Sequence, residues 1–330
     1  MVSLGSTSGL RIADEELRGS LQRAGAEVAL VTVPPPAQAP TLMLTDLGWS
    51  LSARRCLRNE LARMREHAPR ATIYSSTTAA LLWPAPGAVR FDAPSAGNRR
   101  GRHGLWQRPL ERRRLRRATL LLPWSEGAVG ESPRGARRPG DTLVLPVPVE
   151  PSGPPRVRDI AAITYAANPT KKGLDRVLAA WRGARREGEE LLVTGAGEEQ
   201  LRRAGLLAGA EQGVRVTGPL APTDYRELLR RARVFVCAPR REDYGIAQLE
   251  ALVDGCLLVS TPAPGPYAAL PIARTLDSRL IADDLAGALR VALDEPRPGY
   301  AERALEALTP FRRASCDRLV AEEVLPRLLA

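Results

Sequence analysis

No run of 18 consecutive apolar residues occurs in the 330-residue chain, so no segment is expected to cross a membrane as a helix. The amino terminus, Met1-Val2-Ser3-Leu4-Gly5, lacks the basic and apolar regions of a secretory signal. Cysteine is sparse and scattered. Cys56, Cys237, Cys256 and Cys316 form no C-x2-C pair, which argues against a structural zinc site and a disulfide framework. No D-x-D triplet is present. Lysine is nearly missing: of 48 basic residues only Lys171 and Lys172 are lysines. A GC-rich genome produces that bias, yet it makes an adjacent lysine pair worth attention. These absences leave a reduced, cytoplasmic protein as the expectation, and the length favours two globular domains.

Arginine is what the chain has in quantity, and it is unevenly spread. The formal charge is +11, and residues 99–117 hold nine arginines against one acid, Glu111, a net +8 that leaves +3 elsewhere (11 − 8). A short helix over residues 108–117 would carry most of them, with Leu110 and Leu115 as apolar anchors. Such a helix suits a solvated face. It also suits contact with anionic lipid, where each cation near the surface is worth about 1 kcal/mol. A nucleic-acid partner is disfavoured, because stacking aromatics are needed and Trp106 is the only one in the segment.

Short apolar runs alternate with helical patterns along the chain. In the first half, strands are expected at residues 2–4, 28–33, 42–44, 72–74, 88–91, 119–122 and 142–145. A small-residue loop at residues 5–9 precedes a helix over 12–24. Pro146, Pro148, Pro151, Pro154 and Pro155 then interrupt the pattern and read as a connection between domains. The second half resumes with strands at 160–165, 191–194, 214–217, 234–238 and 257–260. Helices are expected at 172–185, 198–207, 223–231, 246–253, 283–293, 301–307 and near 312–329. Alternation of this kind points to an α/β class with parallel sheets.

Three segments carry candidate chemistry. Thr194-Gly195-Ala196-Gly197 follows a strand and opens a helix, where backbone N–H groups can face a phosphate. The dinucleotide fingerprint is incomplete, with Gln200 at the third small position and no acid near Thr217-Gly218-Pro219, so NAD or FAD is disfavoured and a tight turn fits equally. Glu242 lies beyond the 234–238 strand and Glu250 inside the next helix. Glu250 suits the two hydroxyls of a ribose and Glu242 the hydroxyls of a second ring; a loop acid and an ion-paired helix acid are the plain alternatives. Lys171 and Lys172 stand at a helix N-terminus, where an ammonium opposes the macrodipole and calls for an anionic partner. A solvated turn fits them too.

Taken together, Lys171-Lys172-Gly173-Leu174-Asp175, the turn at Gly195, Val216-Thr217-Gly218-Pro219-Leu220, and Glu242-Asp243-Tyr244-Gly245-Ile246 followed by Leu249-Glu250-Ala251 and Asp254-Gly255 resemble the donor-binding domain of family 4 glycosyltransferases. The similarity runs in order from about residue 160 to 260. It implies a GT-B fold: two Rossmann-like α/β domains, residues 1–150 on the acceptor side and 151–310 on the donor side. A nucleotide-binding cleft would lie between them, and a helix over 311–330 would return to the first. The implied activity is retaining transfer of a hexose from a nucleoside-diphosphate sugar to a hydroxyl acceptor, with neither metal nor other cofactor. A GT-B epimerase and a basic nucleic-acid or anion-binding module are the alternatives.

By resemblance, Glu242 contacts the donor sugar and Glu250 the ribose, while Lys172 neutralises the diphosphate. Asp243, Tyr244, Gly245 and Ile246 would face the donor mainly through backbone N–H groups, and Gly9 would approach the phosphates from the other domain. The family's second phosphate-binding cation, an arginine, is replaced by Ala166 or Ala167, leaving Lys171, Arg240 or Arg241 as substitutes. The usual Gly-Phe-Gly after the first glutamate is Asp243-Tyr244-Gly245. Asp92, Asn98 and His103, in a polar loop after the 88–91 strand, are the acceptor-side candidates.

Overall fold

The computed structural model describes every residue except 38, 65–67, 100, 137–139, 208 and 210; Arg100 of the basic segment thus lies outside the described residues, as does the side chain of His103. The chain divides into two compact units: Met1–Pro148 with Pro310–Ala330, and Val149–Thr309. The changeover falls inside the proline-rich stretch, whose missing N–H groups suit neither a helix interior nor a central strand.

In the first unit, β1 (Val2–Ser3), β2 (Val31–Thr32), β3 (Ile73–Tyr74), β4 (Ala88–Phe91) and β5 (Leu121–Pro123) form a parallel sheet in the order β2-β1-β3-β4-β5. Its core joins Val2, Tyr74, Val89 and Phe91 to Leu57 and Leu115 from flanking helices. The C-terminal segment packs here too. Val320 and Val324 share a cluster with Leu17 and Leu21, and Arg23 donates to Asp317 at 2.7 Å.

Four expectations for this unit need correcting. Residues 42–44 are not a strand but the start of a helix, Leu42–Arg63, capped by Thr41 accepting from the Leu44 N–H. Its buried face is Asp46, Ser50, Ala53 and Leu57 at helical spacing, so the apolar run at its start faces largely outward. Residues 142–145 run beside β5, with Leu143 and Leu145 donating to Leu121 and Pro123, but Pro146 prevents continuation and only an isolated bridge forms at Thr142. The segment near 312–329 is broken into helix Arg313–Leu319, a π turn Val320–Val324 and helix Leu325–Leu329. Pro326 cannot donate there, and the ladder shifts around it. Gly9, finally, sits not in a loop but in the first turn of helix Ser8–Arg23.

The second unit holds β6 (Ile160–Tyr165), β7 (Leu191–Thr194), β8 (Val214–Gly218), β9 (Ala232–Cys237) and β10 (Leu257–Ser260), parallel and ordered β10-β9-β6-β7-β8. All strands but β8 are almost wholly buried, as expected of a parallel sheet with covered faces. Helix Leu174–Ala184 buries Leu174, Val177, Leu178 and Trp181 against it, each worth roughly 1.5–3 kcal/mol. The order matters for function. From β6 the chain moves outward through β7 to β8, then returns to the other side of β6 as β9. The carboxyl ends of β6 and β9 therefore flank a topological switch point, where open α/β sheets bind ligands.

Candidate functional site

Both halves of the candidate site leave the sheet at that switch point. Beyond β6, the Asn168 side chain accepts from the Lys171 N–H at 3.0 Å and starts the short helix Pro169–Lys172. Gly173 closes it with φ +66°, and a Cβ there would lie 1.9 Å from the Ala238 carbonyl. Only glycine lets the lysine turn lie so close to the end of β9. The Arg240 N–H donates to the Lys171 carbonyl at 3.1 Å and stitches the two exits together.

Beyond β9, the Glu242 backbone is held on both sides: its N–H donates to Pro264 at 3.0 Å, and its carbonyl accepts from the Tyr267 N–H at 3.3 Å. Gly265 packs on the same carbonyl, at a distance where a Cβ would meet it at 2.2 Å. The buried Glu242 carboxylate accepts from Lys172 Nζ at 2.6 Å and Gln248 Nε2 at 3.0 Å, both on Oε2. Asp243 accepts from Lys171 Nζ at 3.1 Å and Arg241 Nε at 2.7 Å. Burial alone would raise the Asp243 carboxyl, but the two cations hold it below the ordinary carboxylate range. Three cations and two carboxylates thus meet in one place.

Tyr244 is buried, and Gly245, at φ +90°, opens helix Ile246–Val253. Glu250 lies one turn inside, half-buried, with Arg226 Nη1 3.6 Å from its carboxylate. Burial pushes its pKa up to about 7, against the pull of Arg226 and with a push from Asp254. Arg226 is itself fixed, donating to Asp254 at 2.6 Å and to the Glu150 carbonyl at 2.7 Å; Asp254 also accepts from the Ser152 N–H at 2.8 Å. Tyr225, beside Arg226, packs against Tyr165 with ring centroids 5.5 Å apart at a 52° tilt, and its buried hydroxyl has no partner among the described residues.

The other candidates are placed as follows. Gly195 (φ +85°) donates to Gly218 at 2.9 Å and lies against the Tyr165 ring, so it closes the β7 turn tightly. Ala166 is buried and Arg240 pairs with Asp175 at 2.8 Å on the surface, away from the Asp243 cluster's own bonds. In the first unit, Asp92 accepts from the Ala93 N–H at 2.7 Å, Asn98 ends the short helix Ser95–Asn98, and His103 lies in the turn Gly101–Gly104. The basic segment is less uniform than its composition. Arg99 donates to the buried Asp46 at 2.6 Å, and Arg114 donates to Leu81 while lying over the Trp83 ring. On helix Gln107–Arg117 the residues 109, 112, 113, 116 and 117 are exposed, so four arginines share one outward face opposite Gln107, Glu111 and Leu115.

Sequence reasoning missed Gln248 and Arg226. A glutamine inside the apolar run of residues 246–253 was a readable signal; Arg226, 24 residues before Glu250 and one of many arginines, offered none. Among the described residues no group of three or more His, Cys, Asp and Glu could hold a metal, and no helix is long and apolar enough to cross a membrane.

Residues 159–294 match the family model described as glycosyl transferases group 1. No curated protein matches the chain by sequence. Among solved structures it is similar to WaaG, a glycosyltransferase involved in lipopolysaccharide biosynthesis, with TM-score 0.69, 14% identity and 98% of each chain covered. Anabaena HepE in complex with UDP and glucose aligns at TM-score 0.66 and 14% identity, again over 98% of each chain. Sucrose-phosphate synthase from Thermosynechococcus elongatus aligns at 0.67 and 14%, over 98% of this chain and 95% of that one. The switch-point site lies inside the segment that matches the group 1 model, and the chain has the GT-B fold of these solved glycosyltransferases.

Proposed function

We propose that the protein is a retaining glycosyltransferase that moves a hexose from a nucleoside-diphosphate sugar to a hydroxyl acceptor. The observation that carries this reading is the contact of Lys172 with Glu242, 2.6 Å apart, at the carboxyl ends of β6 and β9. A lysine beside a buried carboxylate at a switch point matches the two ends of a sugar diphosphate: hydroxyls for the carboxylate, phosphate for the ammonium. Glu250, 8 residues further on, is placed to accept from the ribose hydroxyls.

In the proposed reaction the C1–O bond to the diphosphate breaks and its electron pair leaves with the phosphate. The acceptor oxygen bonds to C1 from the same face, and its proton passes to the departing phosphate oxygen. Lys172 stabilises the charge that develops there, an electrostatic contribution that needs no covalent step. Lys171 and Arg241, gathered on Asp243, take the place of the family's missing arginine. Asp92, Asn98 and His103 are the acceptor-side candidates. The positive charge comes from side chains, so the reading calls for neither metal nor cofactor.

The four outward arginines of helix Gln107–Arg117 support a second element, peripheral contact with an anionic membrane surface, on its cytoplasmic side. Incubation with a panel of nucleotide sugars should release a nucleoside diphosphate, and NMR of the product should show the donor's anomeric configuration kept. Absence of release together with absence of nucleoside-diphosphate binding would defeat the reading; an inverted product would defeat retention.

A further inference from the structure

We infer that Gln248 is a positioning residue for Glu242, holding its carboxylate in the orientation used toward the donor sugar; the inference rests on the proposed role of Glu242. Gln248 lies on the inner face of helix Ile246–Val253 and is 1% exposed. A buried primary amide offers two N–H groups and one carbonyl, and each normally finds a partner. Here only the nitrogen does, donating to Glu242 Oε2 at 3.0 Å with Cys237 Sγ at 3.8 Å, while Oε1 has no donor among the described residues. Turning the amide over would set its oxygen against a carboxylate oxygen at hydrogen-bond distance. Glu242 therefore dictates which way the amide faces. An aliphatic side chain would fill the same space without an orphaned carbonyl, so what the amide adds at this position is its bond to Glu242.

The arrangement has a division of labour. Glu242 Oε2 receives two donors, Lys172 and Gln248, from different elements. Lys172 is the group assigned to the diphosphate, and its charge is shared once that anion is bound. Gln248 has no such second duty, and it stays on Glu242. The amide is also backed by a buried hydroxyl and thiol set: Cys237 lies 3.4 Å from both Ser260 Oγ and the Tyr267 hydroxyl, which are 3.1 Å from each other. With the Glu242 backbone pinned at Pro264 and Tyr267, both ends of the residue are held before substrate arrives, which is preorganisation of a charged group.

The test uses Gln248→Met, close in volume and without a donor, and Gln248→Glu, close in shape. The assay is nucleoside-diphosphate release from whichever nucleotide sugar the parent turns over fastest. For Gln248→Met, kcat should fall by roughly ten- to a hundredfold while affinity for the free nucleoside diphosphate stays within about twofold. For Gln248→Glu, activity should fall steadily as pH rises between about 6 and 9, as a second carboxylate ionises beside the first. Parent-like kcat in Gln248→Met would overturn the inference, as would a loss of kcat matched by an equal loss of nucleoside-diphosphate affinity in a folded variant. If that variant loses nucleotide binding through misfolding, a parent-like profile in Gln248→Glu overturns it instead. Glu242→Gln separates the two levels: parent-like turnover there removes the reading of Glu242, whereas an inactive Glu242→Gln beside a parent-like Gln248→Met removes only the role of Gln248.

Discussion

Replacing Glu250 by glutamine should strengthen the fold and weaken the binding of nucleotide, and the two effects can be read on one variant. Burial raises the Glu250 pKa from 4.5 to about 7, with Arg226 opposing and Asp254 adding to the rise. Between those two values the folded protein holds a proton that the unfolded chain has released, so stability declines as pH rises through the window and the full cost is present above about pH 7. At 1.36 kcal/mol per unit the cost is about 3 kcal/mol. Glu250→Gln keeps the shape and removes the charge. It should therefore gain up to about 3 kcal/mol over the parent at pH 8 and almost nothing near pH 4, where Glu250 is neutral in both states. Calorimetry follows this in the unfolding transition that added nucleotide shifts. In the parent, nucleoside-diphosphate affinity should rise up to about tenfold from pH 6 to pH 8 as the carboxylate becomes an acceptor for the ribose, beyond any change in the variant, which controls for ionisation of the phosphates. A stability gain equal at both pH values, or the same affinity rise in parent and variant, would refute the reasoning.

Other perturbations probe different parts of the molecule. Lys172→Met should lower nucleoside-diphosphate affinity by roughly tenfold or more and steepen the loss for substrates with full phosphate charge, measured by titration calorimetry. Gly173→Ala forces a methyl group onto the Ala238 carbonyl from a left-handed backbone, so a drop of more than about 1 kcal/mol in urea unfolding is expected, with weakened nucleotide binding because Lys172 precedes it. Changing Arg112, Arg113, Arg116 and Arg117 together to glutamine should abolish co-sedimentation with anionic liposomes at low salt and leave nucleotide affinity unchanged. Retained sedimentation would move the contact elsewhere.

The second unit was readable in the sequence because its strands are buried on both faces. Residues 160–165, 191–194 and 257–260, and the helix over 246–253, coincide with the observed elements residue for residue. In the first unit the strands are two to four residues long, and the apolar cue fails where a polar face is the buried one, as in Leu42–Arg63. The residues of the candidate site could be singled out one by one, since lysines are rare and the glutamates follow a strand. Their convergence could not be read in the same way. Nothing local says that Lys172 reaches Glu242, because strand order decides it. Gln248 was hidden by its residue type, which in a helix usually faces water, and Arg226 by the abundance of arginine.

The excursion through β7 and β8 has a kinetic meaning. The Lys172–Glu242 contact spans 70 residues of chain, nearly all of them spent travelling to one edge of the sheet and back. Closing such a span costs chain entropy that no local contact repays, so neither half of the pair gains from its partner until β9 has paired with β6. Helix Leu174–Ala184 and the β6–β7 pairing are short-range by comparison and form without it. The charged cluster can thus assemble only once β9 has paired with β6, after these short-range elements have had the chance to form.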